Sequence, residues 1–313
     1  MKRILVTGAS GFIGRALVPY LTKCGYAVRA ASRRPQRAGE GVEPVRSPDL
    51  AGSVHWTPLL EGIDAVVHAA AIAHTTGIDE ATQDMVNHRA VAALAEAAQG
   101  RVERLIFLSS IRAQSGGSAA GVLTEGEEPR PTDAYGRAKL AGERALARKD
   151  VPFVVLRPVL VAGCSPSGNL AHLLRLARLP VPLPVAGVAA RRSLIDRDDL
   201  CAAIAHVLDE GAHLRETYIV AHPEPIEIAA MIAALRRGLG RAPGLFAIPS
   251  FLTRGALSLS FLGEVREKLL GDLVASPDKL MKTGWTPKLS PEAALAHIGA
   301  AAAEPTELSD LAS

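Results

Sequence analysis

The run Thr7-Gly8-Ala9-Ser10-Gly11-Phe12-Ile13-Gly14 constrains this chain more than any other feature. It lies between an apolar strand pattern, Lys2–Thr7, and a helical pattern, Phe12–Lys23. Gly8 permits a tight turn, Gly11 lets backbone approach a pyrophosphate, and Gly14 lets the helix touch the strand. The helix that follows offers free N–H groups and a positive dipole end to phosphates. Three glycines also mark ordinary turns, so the context decides. Strand patterns recur at Tyr26–Ala31, Val42–Val45, Ala65–His68, Leu105–Ser109 and Phe153–Leu156, with helical patterns at Glu80–Gln99 and Asp133–Arg148. Continuous apolar strands separated by helices require a parallel sheet covered on both faces. Right-handed crossovers then make it a Rossmann-type, doubly wound α/β fold.

The texture changes after Pro158. Segments rich in Pro and Gly (Cys164–Gly168, Pro180–Gly187, Pro243–Pro249) punctuate helical patterns at Asp198–Leu208, Ile226–Leu239 and Pro291–Ile298. The expected organisation is a dinucleotide-binding domain over 1–163, with returns to it around 191–222. A smaller C-terminal substrate-binding region covers 164–190 and 223–301 and closes over the carboxyl ends of the strands, where open α/β sheets bind ligands. A small polar tail, 302–313, follows.

Composition removes other classes. With 48% hydrophobic and 21% charged residues, the chain of 313 residues is neither disordered nor collagen-like. A net charge of +3 without a basic stripe disfavours a nucleic-acid partner. Cys24, Cys164 and Cys201 form no CxxC pair, so neither a disulfide framework nor a zinc or other metal site is expected, and a reducing compartment is. The N-terminus runs straight into the first strand pattern rather than a signal peptide. The best candidate for a membrane span, Leu245–Leu262, is broken by Pro249 and Arg254, so none is expected. The expectation is a cytoplasmic enzyme.

An NAD site usually places an acid about 20 residues beyond the glycine fingerprint to hold the ribose hydroxyls. This chain has Ser32-Arg33-Arg34 there. A guanidinium fork matches a phosphate, whereas a carboxylate repels one. NADP(H) is therefore favoured over NAD(H), with Ser32 and Arg33 on the 2′-phosphate; the other reading is a pair of solvated surface arginines. Asp49-Leu50 places a carboxylate near the adenine amino group, and His68-Ala69-Ala70-Ala71 offers small residues against the cofactor. Tyr135-Gly136-Arg137-Ala138-Lys139 puts tyrosine and lysine on one helical face, behind the capping residues Pro131-Thr132-Asp133. An ammonium beside a phenol is expected to lower its pKa toward working pH, which suits proton transfer. The same lysine can reach the cofactor ribose. Ser110, at the end of the fifth strand pattern, supplies a hydroxyl for the substrate oxygen; Ser109 reads equally as a turn or capping serine.

Together these segments resemble the extended short-chain dehydrogenase/reductases of the NAD(P)-dependent nucleotide-sugar epimerase/dehydratase family. The matching stretches are TGASGFIG from Thr7, DAVVHAAA from Asp64, FLSS from Phe107, YGRAK from Tyr135, LRPVLVAG from Leu156, RRSLIDRDDL from Arg191 and GWTPKLSPEAAL from Gly284. The resemblance implies a catalytic triad of Ser110, Tyr135 and Lys139. It implies cofactor contacts at Gly8, Gly11, Phe12, Ile13, Arg33, Asp49, His68, Ala69, Ala70, Lys139 and Pro158. Asn87 falls where the family has a helix asparagine supporting the lysine through backbone and water. Arg192 matches an arginine that pairs with the substrate diphosphate, although Arg191 stands beside it, and Asn169 is a second candidate for that diphosphate. One departure is Leu160, where many members have asparagine. His74 is a further candidate for the sugar pocket.

The implied substrate is a UDP-hexose-type nucleotide sugar reacting at C4. Arg33 tilts the reading toward NADPH-dependent reduction of a 4-keto sugar, as in the branch reducing 4-keto-6-deoxy-N-acetylhexosamine nucleotides, with UDP-hexose 4-epimerase as the runner-up. A reductase of a non-nucleotide carbonyl and a non-catalytic NADP(H)-sensing module are the remaining alternatives, the second disfavoured by the Tyr–Lys pair. A homodimer, packed through the helices at Glu80–Gln99 and Asp133–Arg148, fits the family habit; a monomer is the other possibility.

Overall fold

Residues 1–34, 38–72, 77–166, 168–209, 213–247 and 271–303 are described by a computed structural model. The short apolar runs become strands because each can bury both faces. β1 (Arg3–Thr7), β4 (Ala65–His68), β5 (Arg104–Leu108) and β7 (Phe153–Pro158) are buried almost throughout. They form the centre of a seven-stranded sheet in the order β11-β7-β5-β4-β1-β2-β3, with β2 at Ala27–Ser32, β3 at Val42–Arg46 and β11 at Glu216–Val220. Every pairing in it is parallel. The chain order reverses between β1 and β4, and at such a switch point loops diverge and leave a crevice.

Helices cover both faces. On one face, α1 (Gly14–Lys23) packs Leu17 and Leu21 with Leu200, Ile204 and Val207 of α7 (Arg197–Leu208). On the other, Trp56, Val91, Leu94 and Leu146 join Leu5, Val66 and Phe107 of the sheet. A third cluster is separate, built by Leu170 and Leu174 of α6 (Gly168–Arg178), Met231 and Leu235 of α8 (Ile228–Gly238), and Leu295 and Ile298 of the helix Pro291–Ala303. Asp199 ties the last of these helices to the sheet side, accepting hydrogen bonds from the backbone N–H groups of Lys288 and Leu289.

Three expectations are revised. The helix expected over Glu80–Gln99 is split by a π turn at Met85–Arg89, flanked by α3 (Glu80–Asp84) and α4 (Ala90–Ala98). Ile226 and Glu227 leave the expected helix to pair, antiparallel, with Arg192 and Arg191. Pairing overrides helical periodicity at those two positions because it satisfies their backbone across a second chain segment. The first helix starts at Gly14 rather than Phe12, since the glycine loop uses Phe12 and Ile13 in its turn. All three cysteines are free thiols. No helix among the described residues is long and apolar enough to cross a membrane.

Candidate active site

The crevice begins with Gly8, whose φ of +70° lies in the left-handed region that favours glycine. A Cβ there would stand 2.7 Å from the backbone nitrogen of Ala70, so the loops after β1 and β4 touch backbone to backbone. Thr7 fastens the same junction. Its Oγ1 accepts the N–H of Ala70 at 3.2 Å and lies 2.9 Å from Nδ1 of His68. His68 is fully buried and is a neutral ring. Burial, and after it the charge of Lys139, pushes its pKa down to about 3. Gly11 closes the turn by donating its N–H to the Gly8 carbonyl at 2.9 Å, and Gly14 is buried at the start of α1. The first-turn amides of α1, contributed from Phe12 and Ile13 onward, are the groups a helix leaves for an anion. A dinucleotide fits this cradle: side chains are excluded where backbone must approach it.

At the neighbouring strand end, Ser32 is buried as the last residue of β2 and donates its hydroxyl to the Arg34 carbonyl at 2.8 Å. Arg33 and Arg34 are exposed just beyond. The residues that close this strand, Ser32-Arg33-Arg34, include no carboxylate. Asp49 is exposed after β3 and caps its own turn through the N–H of Ala51, while Leu50 packs on the sheet.

The proton-transfer candidates come from β5 and α5 (Ala134–Ala147). Asp133 caps α5 by accepting the Gly136 N–H at 2.7 Å. Its other oxygen accepts from Arg112. Arg112 belongs to the 3-10 turn Ile111–Ala113, whose cap is Ser110: Ser110 Oγ accepts the N–H of Arg112 at 3.2 Å. Serine and tyrosine are thereby tied together, and Ser110 lies close enough to Tyr135 to lower its pKa. Tyr135 is half-buried, and burial pushes its pKa up to about 12 against the lowering influence of Ser110. It is a neutral phenol with a proton to give.

The expected acidification of Tyr135 by Lys139 is not what this geometry shows. Lys139 is 1% exposed and donates to the Leu108 carbonyl at 2.8 Å, with Nζ 6.0 Å from the tyrosine ring centroid and 4.7 Å from that of Phe107. Burial lowers its own pKa to about 7, with Glu143 pulling the other way. Four-residue spacing set the face correctly; depth in the fold set the charge.

Other expected residues divide. Asn87 is fully buried in the π turn, donating Nδ2 to the Ile72 carbonyl at 3.1 Å and to Gln83 at 2.6 Å. Its own carbonyl stands where a Cβ on Gly142 of α5 would be only 2.7 Å away, so the π turn lies directly against the lysine helix. Pro158 ends β7 beside Ser109, whose N–H reaches the Leu156 carbonyl at 2.8 Å. Asp272 takes Arg191 through both its side chain and its backbone N–H. Arg192 is half-buried and donates to the Gly271 carbonyl. Its electrostatic neighbours are Asp272 and Arg112, which place it on the Arg112 side of the crevice. Asn169 is exposed in the first turn of α6, and Leu160 opens β8 (Leu160–Ala162). His74 lies outside the described residues. Sequence reasoning missed Arg112, Glu143 and Arg157; only Glu143, one turn beyond Lys139, carried a spacing signal.

A doubly wound sheet with a glycine cradle at its switch point and a Ser–Tyr–Lys group on the adjoining strand and helix defines a short-chain dehydrogenase/reductase. The profile of the "NAD dependent epimerase/dehydratase family" matches residues 4–221, and the chain belongs to that family of enzymes. Among curated proteins it is 29% identical to the UDP-glucose 4-epimerase of Vibrio cholerae, covering 91% of each chain. It is 28% identical to the ceramide reductase of Caulobacter vibrioides, covering 93% of this chain and 87% of the relative. Among solved structures, MoeE5 in complex with UDP-glucuronic acid and NAD superposes with a TM-score of 0.74 at 24% identity, covering 96% of this chain and 98% of that one. UDP-glucuronic acid 4-epimerase from Bacillus cereus in complex with NAD gives a TM-score of 0.74 at 19% identity, covering 97% and 99%. At these identities the two structures speak for the fold.

Proposed function

We propose that this enzyme transfers hydride at C4 of a UDP-hexose-type nucleotide sugar, uses NADP(H) in preference to NAD(H), and runs as a 4-keto reductase. The observation that carries the reading is the placement of Ser110, just past the C-terminal end of β5, beside Tyr135 in the first turn of α5. Ser110 holds the substrate oxygen, and Tyr135 gives that oxygen its proton as it becomes an alkoxide. Lys139, once the cofactor ribose is present, turns from the Leu108 carbonyl to the ribose hydroxyls. Asn87 buttresses the same helix. The bound nicotinamide supplies the hydride. Arg192 meets the substrate diphosphate, with Asn169 at its edge, and the third hydrophobic cluster encloses the nucleotide. Arg33, exposed where an acid would mark an NAD site, supports the 2′-phosphate, with Ser32 beside it.

A second reading, reversible 4-epimerisation of a UDP-hexose, is favoured by the Vibrio cholerae relative. Incubating the protein with UDP-4-keto-hexoses and with UDP-glucose, with NADPH or NADH, separates the two. Stoichiometric NADPH consumption with a 4-hydroxy product is the expected outcome. Turnover of UDP-glucose with no net change in cofactor makes it an epimerase. Arg33→Ala removes the NADPH preference if the cofactor assignment holds. An unchanged KM for the UDP-sugar in Arg192→Ala points instead to a non-nucleotide carbonyl.

A further inference from the structure

Beneath the Ser–Tyr–Lys group lies a polar cluster that the proton transfer does not use. Glu143 is buried on α5, one turn past Lys139 and two past Tyr135, hence on the same helical face. Arg157 of β7 grips it with two bonds, Nε to Oε1 at 3.0 Å and Nη2 to Oε2 at 2.5 Å. Ser109, the residue before Ser110, donates its hydroxyl to Glu143 as well. Arg157 also donates to Gln114, which reaches the carbonyls of Thr124 at 3.2 Å and Glu127 at 2.8 Å. One cluster thus joins the strand end bearing Ser110, the helix bearing Tyr135 and Lys139, and the segment leading to that helix.

A buried ion pair is a weak source of stability, because desolvation offsets most of its Coulomb gain. Its retention directly under a reactive group calls for another role. We propose that Glu143 is a positioning residue, acting through Lys139 and Ser109 to hold the lysine and the Ser110 hydroxyl in working register. Its carboxylate opposes the effect of burial on the lysine. Among the described residues, the other groups facing Lys139 are the neutral His68 from β4, the Phe107 ring and Leu108 carbonyl from β5, and Tyr135 from its own helix. Arg157 stands behind Glu143. Glu143 is the one anion of that set.

The inference rests on the proposed function for its kinetic arm only; its spectroscopic arm needs no substrate. Carbon-13 NMR of lysine-labelled protein, with Lys139→Met to assign the signal, follows the titration of Lys139. The wild-type midpoint is expected at about 7. In Glu143→Gln it falls by about one pH unit or more, since an anion is lost and the Arg157 cation is left uncompensated. Glu143→Asp brings it back, and the basic limb of the kcat/KM profile moves with the midpoint. If Glu143→Gln does not fold, the double variant Glu143→Leu/Arg157→Leu removes both charges together, a change buried pairs commonly tolerate; its midpoint is expected between the other two. A Lys139 midpoint unchanged from wild type in the folded variant overturns the proposal, even with a lowered Tm. A shifted midpoint in a protein that turns over no UDP-sugar upholds it while the proposed substrate fails.

Discussion

Tyr135 shows how little a residue's type decides without its surroundings. The phenol is kept neutral by burial and so keeps the proton that the proposed reaction asks it to give. Tyr135→Phe is expected to lower kcat by about 10²–10⁴-fold, the usual worth of a positioned acid, with dinucleotide affinity little changed. Stopped-flow reduction and calorimetric cofactor titration check the two halves; full turnover in the variant removes Tyr135 from the mechanism. Gly8 is a residue whose side chain is forbidden. Gly8→Ala adds a methyl at φ +70° against the Ala70 backbone, costing about 1–3 kcal/mol, and dinucleotide binding is expected to be lost. Cofactor affinity at the wild-type level would mean that the loop does not form the cradle.

At the scale of elements, α5 is the piece on which the site depends. Its cap, Asp133, both satisfies the Gly136 N–H and receives Arg112, so helix start and serine turn move as one. Asp133→Ala removes the cap at about 0.5–2 kcal/mol and leaves the Arg112 guanidinium without this carboxylate. The expected result is a lower Tm and a kcat loss larger than any rise in KM, because the Ser110–Tyr135 spacing loosens first. An Asp133→Ala enzyme with wild-type kcat rejects that coupling. The cap and the Tyr–Lys face were legible in the sequence, since both depend on local spacing. The π turn was not. It reflects contact of Asn87 with Ile72 and of its carbonyl with α5, neither of which periodicity can register. The strand Glu216–Val220 was likewise hard to read: its apolar run is only Tyr-Ile-Val, and pairing with β7 makes it a strand.

The whole molecule has a pH response set by groups it buries. His68 falls from an ordinary 6.5 to about 3 on folding, so the unfolded chain takes up its proton first as pH drops. Its contribution to stability is therefore complete above 6.5 and is lost as pH falls toward 3. Lys139 is held at about 7 against 10.5 unfolded, so the folded state releases its proton first and stability rises with pH across that window. Urea unfolding of the ligand-free protein should show a steep acid-side loss that His68→Gln flattens; parallel slopes for the two proteins count against it. The sequence by itself determined the alternation of strands and helices, the glycine cradle and the helical face shared by Tyr135 and Lys139, since each is encoded within a few neighbouring residues. Only the tertiary structure decided that Asp272 takes Arg191, which way Lys139 points, and that Glu143 and Arg157 meet beneath it. Those outcomes depend on burial and on partners far apart in the chain, and desolvation acts on depth, which no local pattern records.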